Sequence, residues 1–326
     1  MKLATLAAGG PDGTLAVVSA DGARYLAARE IAPTLQAALE QWPSMAPRLA
    51  VLANRLARGE GLPTAGVRFA APLPRAWQWL DGSAFESHGA LMQRAFNLPP
   101  IETDQPLMYQ GLSHQFLGPR DDVPLPSEAD GIDFEGEFGV ITDAVPMGVD
   151  AARALHHIRL IVQINDWSLR AIAPVEMKTG FGWIQAKPAC SIAPFAVTPD
   201  ELGDAWHDGR VCLDLAVDWN GQRFGNANGA PMGFGFHELI AHAARTRALP
   251  AGTIIGSGTV SNADFRDVGS SCIAERRGIE IIDRGAPETS FMRFGDRVRM
   301  EARAADGGLL FGVIEQEVVP AEKDHG

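Results

Sequence analysis

Two glutamates separated by one glycine, Glu135 and Glu137, interrupt the otherwise apolar stretch GIDFEGEFGVITD, which runs from Gly131 to Asp143. Phe134, Phe138, Val140 and Ile141 make this stretch read as a β-strand, and side chains alternate across a strand. The two acids therefore leave the same face and converge. Carboxylates so close repel one another and are costly to strip of water, so they need a shared proton, basic partners or a cation. A third acid, Asp166, ends the apolar run RLIVQIND just before Trp167. Three carboxylates without a Cys or His cluster suit a hard ion, Mg2+, Mn2+ or Ca2+, better than zinc. Spacing alone leaves a second reading open, because acids at i and i+2 also occur on solvated strand faces, where surface arginines pair with them.

The elements that must position these acids are mostly strands. From about Pro106 onward the chain holds short apolar runs, including FGVITD, RLIVQINDWSL, VCLDLAVDW, TIIGSGTVS and RVRMEA, divided by turns rich in Gly, Pro, Asp and Asn. Helical interruptions are few, notably MGFGFHELIAHAARTRAL. The pattern favours a strand-rich α+β fold of two sheets or a roll over an alternating parallel α/β fold. Upstream, TLAVVSADGARYLA predicts a hairpin turning at Asp21 and Gly22. TLQAALEQW predicts a helix with Leu35, Ala38, Leu39 and Trp42 on one face, and PRLAVLANRLARG a second with Leu49, Leu52 and Leu56, ending near Gly59. Pro72 and Pro74 impose extended backbone and mark a boundary between a small N-terminal domain, residues 1–72, and a larger one, residues 73–326. In DGSAFESHGALMQRAF, Ser83 and Glu86 occupy capping-box positions, Leu91, Met92, Ala95 and Phe96 mark an apolar face, and His88 falls in the second turn.

Composition narrows the function classes. With 46% hydrophobic and 21% charged residues, the chain is expected to be a globular protein with a sizeable core. A formal charge of −12 argues against nucleic acid or an anionic membrane as partner. No segment approaches the ~20 apolar residues of a membrane helix, and MKLATLAAGGPDG lacks the apolar region of a signal peptide, so a cytoplasmic location is expected. Cys190, Cys212 and Cys272 have no paired metal-ligand spacing and read as reduced, structural residues. The chain has neither a P-loop nor a strand-linked dinucleotide fingerprint.

Read in order, Glu135-Gly136-Glu137, Asp166 in INDWSLR, Lys187 in QAKPACSIAPF and GSGTVSN from Gly256 to Asn262 resemble the fumarylacetoacetate hydrolase family, from about Asp81 to Val319. The first module is similar to the small N-terminal domain of bacterial members of this length. The resemblance implies a mixed β-sandwich roll with a small N-terminal α/β module, a homodimer, and one divalent cation (Mg2+, Mn2+ or Ca2+) on Glu135, Glu137 and Asp166. It makes Lys187 the lysine that holds a developing oxyanion, and His88, three residues after Phe85, the histidine that activates water. Related small members carry a glutamate shortly after that histidine, where Gly89, Ala90 and Leu91 stand here; Glu275 in GSSCIAERRG is the acid offered instead. Asp81 has the separation of an additional acidic ligand and is expected as an outer one. Tyr109 in MYQGLS and Thr259 in GSGTVS match substrate-binding positions, whereas Ala173 and Met177 replace a glutamine and a tyrosine, so the acyl pocket differs. His114 reads as a loop residue.

The implied activity is metal-dependent hydrolysis of a C–C bond in an acylpyruvate or related 1,3-diketo acid, a small dicarbonyl acid whose carbonyls the cation polarises while His88 deprotonates water. Without a productive water, the same site would decarboxylate a 2-oxo acid or isomerise an enol. A third reading, a non-catalytic ligand-binding protein, has the retained carboxylates and lysine against it.

Overall fold

The computed structural model describes residues 1–99 and 103–322. At its centre lies the strand Gly136–Thr142, every residue of which is buried. It pairs antiparallel with Ile158–Asn165 on one side and Ile254–Gly256 on the other. Beyond Ile254–Gly256 come Trp79–Gly82, in parallel, and then Met108–Gln110. In the other direction the order continues through Phe195–Val197, Lys2–Leu6, Thr14–Val18, Arg24–Ala27 and Leu62–Pro63, and two short strands pair off this path to complete a 12-stranded sheet. A five-stranded sheet, ordered Gln222–Asn228, Asp214–Trp219, Arg297–Arg303, Leu309–Pro320 and Val123–Leu125, packs against it. Phe138, Leu215, Val217, Met300, Phe311 and Ile314 share the core between them, each such burial contributing about 1.5–3 kcal/mol. This is the strand-rich α+β class that the apolar runs predict.

The N-terminal residues are built into the same sheet. Asp21 and Gly22 turn the hairpin, with Val18 opposite Tyr25 and Gly22 at φ 75°. The first helix, Leu35–Glu40, stops early because Pro43 lacks the N–H needed to continue it; Trp42 opens a second helix, Trp42–Ala57, instead of closing the first. Lys2–Leu6 pairs with Phe195–Val197, so the sheet runs straight through the boundary expected at residue 72. Alternation along Ile158–Asn165 sends Leu160, Val162 and Ile164 into a core with Leu3, Leu15, Leu39 and Leu49. Gln163, on the opposite face, donates to the Met300 carbonyl at 3.1 Å. The N-terminal helices thus support the back of the strands that carry the acids.

The capping box expected at Ser83 and Glu86 does not form. The Ser83 N–H donates to the Leu107 carbonyl and the Ala84 N–H to that of Ser257, which keeps this backbone in the sheet and delays the helix to Glu86–Phe96, behind Phe85. His88 therefore sits in the first turn, not the second. Phe96 is 48% exposed rather than packed, because the helix ends beside it at Asn97, φ 50°. This helix lies along Ile273–Arg284 at Gly278, where a Cβ would come within 2.7 Å of Leu91 Cδ2, so glycine permits the close approach. Among the described residues no helix is long and apolar enough to cross a membrane.

Candidate active site

Strand order decides which acids meet. Gly136 lies opposite Asn165, Gly139 opposite Gly256, Gly256 beside Asp81, and Asp81 opposite Tyr109. These pairings across five strands bring Asp81, Glu137 and Asp166 together, with one carboxylate oxygen from each within 4.8 Å of the others. Gly256 leaves room for Asp81, since a Cβ there would lie 2.3 Å from Asp81 Oδ1. All three acids are buried, and among the described residues neither oxygen of Glu137 has a hydrogen-bond partner. Burial, then the charges of Asp81 and Asp166, push the Glu137 carboxyl well above its usual range; burial and Asp166 do the same to Asp81. An all-oxygen, electron-rich cluster with orphaned buried oxygens fits a hard divalent cation, which would satisfy those oxygens and offset the repulsion.

Glu135 has a different engagement from Glu137. Its Oε1 accepts from Arg170 and its Oε2 from Lys187 Nζ at 2.9 Å. Burial alone would raise its carboxyl, but Lys187 and Arg170 outweigh burial and hold it well below the usual range. The ligand set expected from sequence, Glu135, Glu137 and Asp166, therefore differs in one member from the cluster assembled here. Asp81, expected only as an outer ligand, stands in the cluster, while Glu135 neutralises two basic side chains.

Lys187 is buried, not a surface lysine, and also donates to Asp166 Oδ2 at 2.6 Å. Burial would lower its pKa, but Asp166 and Glu135 raise it above the ordinary value and keep it charged. The rings of Tyr109 and Trp183 each lie 5.4 Å from its Nζ. Tyr109 Oη donates to Asp166 Oδ2 at 2.5 Å and Cys190 Sγ to Asp166 Oδ1 at 2.8 Å. Burial and Asp166 push both groups up, so each serves as a protonated donor.

On the helix Glu86–Phe96, His88 Nδ1 lies 3.6 Å from Glu275 Oε1. Glu275 is fully buried in the first turn of Ile273–Arg284 and accepts from Ser261 Oγ, which in turn receives Ser87 Oγ at 3.0 Å. The acid absent after His88 in sequence is thus supplied by a second helix. Thr259 is buried beside Gly258, whose N–H donates to Asp81 Oδ1 at 3.1 Å. His114 is exposed in the loop after Met108–Gln110, and Met177 is exposed on the helix Ala173–Thr179. Sequence reasoning passed over Arg170 and read Cys190 as structural without placing it on Asp166. The signal for Arg170 was present: close carboxylates demand a basic partner, and INDWSLR carries one four residues after Asp166.

Residues 78–319 match the model of the fumarylacetoacetate (FAA) hydrolase C-terminal region, and residues 1–75 that of the fumarylacetoacetase N-terminal domain 2. A 2,4-didehydro-3-deoxy-L-rhamnonate hydrolase from Sphingomonas sp. (strain SKA58) is 31% identical over 163 residues, 49% of this chain and 54% of the relative. The chain spans about half the length of the curated relatives it matches. Among solved structures, maleylpyruvate hydrolase from Sphingobium sp. SYK-6, in complex with manganese(II) and pyruvate, superimposes with TM-score 0.67 at 18% identity, covering 99% of this chain and 100% of that one. 5-carboxymethyl-2-hydroxymuconate delta-isomerase from Mycobacterium smegmatis superimposes with TM-score 0.63 at 19% identity, with the same coverage. At these identities the two structures establish likeness of fold.

Proposed function

The chain belongs to the fumarylacetoacetate hydrolase family, and from that premise we propose that it is a divalent-cation-dependent enzyme hydrolysing a C–C bond in an acylpyruvate or related 1,3-diketo acid. The observation that carries this reading is the buried cluster of Asp81, Glu137 and Asp166, with both Glu137 oxygens orphaned, in a chain that also pairs His88 with Glu275. Those three carboxylates would hold Mg2+, Mn2+ or Ca2+, which supplies Lewis acidity toward the substrate's carbonyl oxygens. We assign His88 as the base that takes a proton from water through Nε2, with Glu275 Oε1 standing 3.6 Å from Nδ1. The water oxygen adds to the distal carbonyl carbon and the C–C bond breaks. Its electron pair stays with the departing keto-acid fragment, which takes up the proton from His88. Lys187 directs its charge at the negative oxygen as it develops. Tyr109 and Thr259 orient the substrate. The manganese and pyruvate of the Sphingobium structure support a cation and a 2-oxo acid in this fold, and the Sphingomonas relative's name describes another didehydro acid. A base with its own orienting acid favours hydrolysis over decarboxylation or isomerisation.

A product screen tests this. Chelated protein, with and without added Mn2+, is given fumarylpyruvate, acetylpyruvate, fumarylacetoacetate and oxaloacetate. Metal-dependent release of a carboxylic acid and a keto acid from a dicarbonyl substrate is the expected result. Release of CO2 from oxaloacetate with every diketo acid left intact would reassign the site to decarboxylation. The homodimer stays a proposal that light scattering reads directly.

A further inference from the structure

We propose that Asp133 is a positioning residue that locks the helix carrying Glu275 to the basic side of the acid cluster, so that base and cation site keep one geometry; the inference rests on the reading of the site given above. Asp133 is fully buried on the short strand Ile132–Asp133, directly opposite Ser168 and therefore close to Arg170. Its Oδ1 accepts from the Ile273 N–H at 2.7 Å and its Oδ2 from the Ala274 N–H at 2.9 Å. These are the first two residues of Ile273–Arg284, so the carboxylate caps the positive end of that helix one residue before Glu275. The same Oδ2 accepts from Arg170 Nε at 2.9 Å, and Arg170 grips Glu135, which holds Lys187, which holds Asp166. A single side chain is thus the junction between the orienting acid of His88 and the chain of charges that ends on a cluster acid. Supporting groups of this kind set whether catalytic side chains stand in productive geometry, and misplacement by about 1 Å costs ~10²-fold in rate.

Asp133→Asn is nearly isosteric but has only one accepting atom, so it cannot serve helix and arginine as before; Asp133→Ala serves neither. Hydrogen exchange on the metal-free protein needs no substrate. Exchange of the amides over residues 271–276 should rise about tenfold or more in Asp133→Asn, with thermal unfolding confirming that the variant is folded. In steady-state cleavage, kcat should fall roughly 10–100-fold while KM and the Mn2+ Kd each change less than about threefold, and Asp133→Ala, where folded, should be worse. Because Asp133 acts in part through Glu275, the loss in Asp133→Asn/Glu275→Gln should fall clearly short of the product of the two single losses. Unchanged exchange over 271–276, or losses that multiply in the double variant, would overturn the proposal. Faster exchange together with a fully active Glu275→Gln would leave the clamp standing and remove Glu275 from the catalytic reading instead.

Discussion

At the scale of single residues, two glutamates one position apart meet opposite fates. Glu135 is buried but faces two cations, whereas Glu137 is buried with no basic partner among the described residues. Their isosteric variants should therefore behave differently. Glu137→Gln should lose Mn2+ affinity by roughly 100-fold or more in calorimetry, yet metal-free Glu137→Gln should melt no lower than metal-free wild type, since an amide replaces a carboxyl that burial and its acidic neighbours already drive toward the neutral form. Glu135→Gln leaves Arg170 and Lys187 short of a counter-charge and should destabilise the fold by about 3–5 kcal/mol in denaturant unfolding. Equal effects of the two substitutions on metal and on stability would dissolve the distinction. In the proposed mechanism Lys187 places its charge where an oxyanion grows, so Lys187→Met should lower kcat by ~10²–10³ with a much smaller change in KM. A raised KM with near-normal kcat would make it a ground-state binding residue.

At the scale of elements, the proposed base is set by two helices that meet at Gly278, one bringing His88 and the other Glu275. His88→Ala should abolish acylpyruvate cleavage while leaving Mn2+ binding intact, and any oxaloacetate decarboxylation should suffer far less because it needs no activated water. Cleavage that survives the substitution would show that His88 is not the base. A third element leads into the site from the other side. Glu176, on the helix Ala173–Thr179, accepts the N–H groups of Gln185 at 2.9 Å and Ala186 at 3.0 Å, and so clips the segment that holds Trp183 against Tyr109 just ahead of Lys187. Glu176→Ala should speed proteolytic nicking between residues 173 and 186 and raise KM by about tenfold, with Mn2+ affinity unchanged. Nicking at the wild-type rate would mean that the clip does not hold this segment.

At the scale of the whole molecule, two sheets and an N-terminal buttress hold a cluster of like charges that the fold alone does not neutralise. In the metal-free protein Asp81 and Glu137 have carboxyls raised well above their unfolded values, so the folded state keeps protons that the unfolded chain has already released. That contribution to stability is complete below about pH 4 and is lost as pH rises through the raised values. Glu135 has the opposite sign, but its contribution is already in full effect above the ordinary carboxylate range. Chelated protein should accordingly show a falling Tm as pH rises from about 5, and added Mn2+, held at the proposed cation site of the folded state, should flatten the fall. A Tm that stays level or climbs over that interval without metal would contradict the charge balance described for the cluster.

Much of this was legible in the chain because it depends on short-range pattern. Period-two alternation identifies the strand after Glu135 and the run that ends before Asp166, Asp21 with Gly22 identifies the hairpin, and the ordered motifs identify the family. Even the basic partner of Glu135 stood within reach, in the arginine of INDWSLR. Asp81 was expected only as an outer ligand; its full membership in the cluster depends on Trp79–Gly82 lying parallel beside Ile254–Gly256, a pairing between segments far apart in sequence. Nor could alternation, which sends Glu135 and Glu137 to one face, say that Arg170 and Lys187 would reach the first and leave the second bare. The resemblance offered Glu275 as the acid for His88, but the distance between them depends on how closely two helices pack. Local periodicity follows from backbone geometry shared by every strand and helix; which charges become neighbours follows from long-range pairing, and only the folded chain decides that.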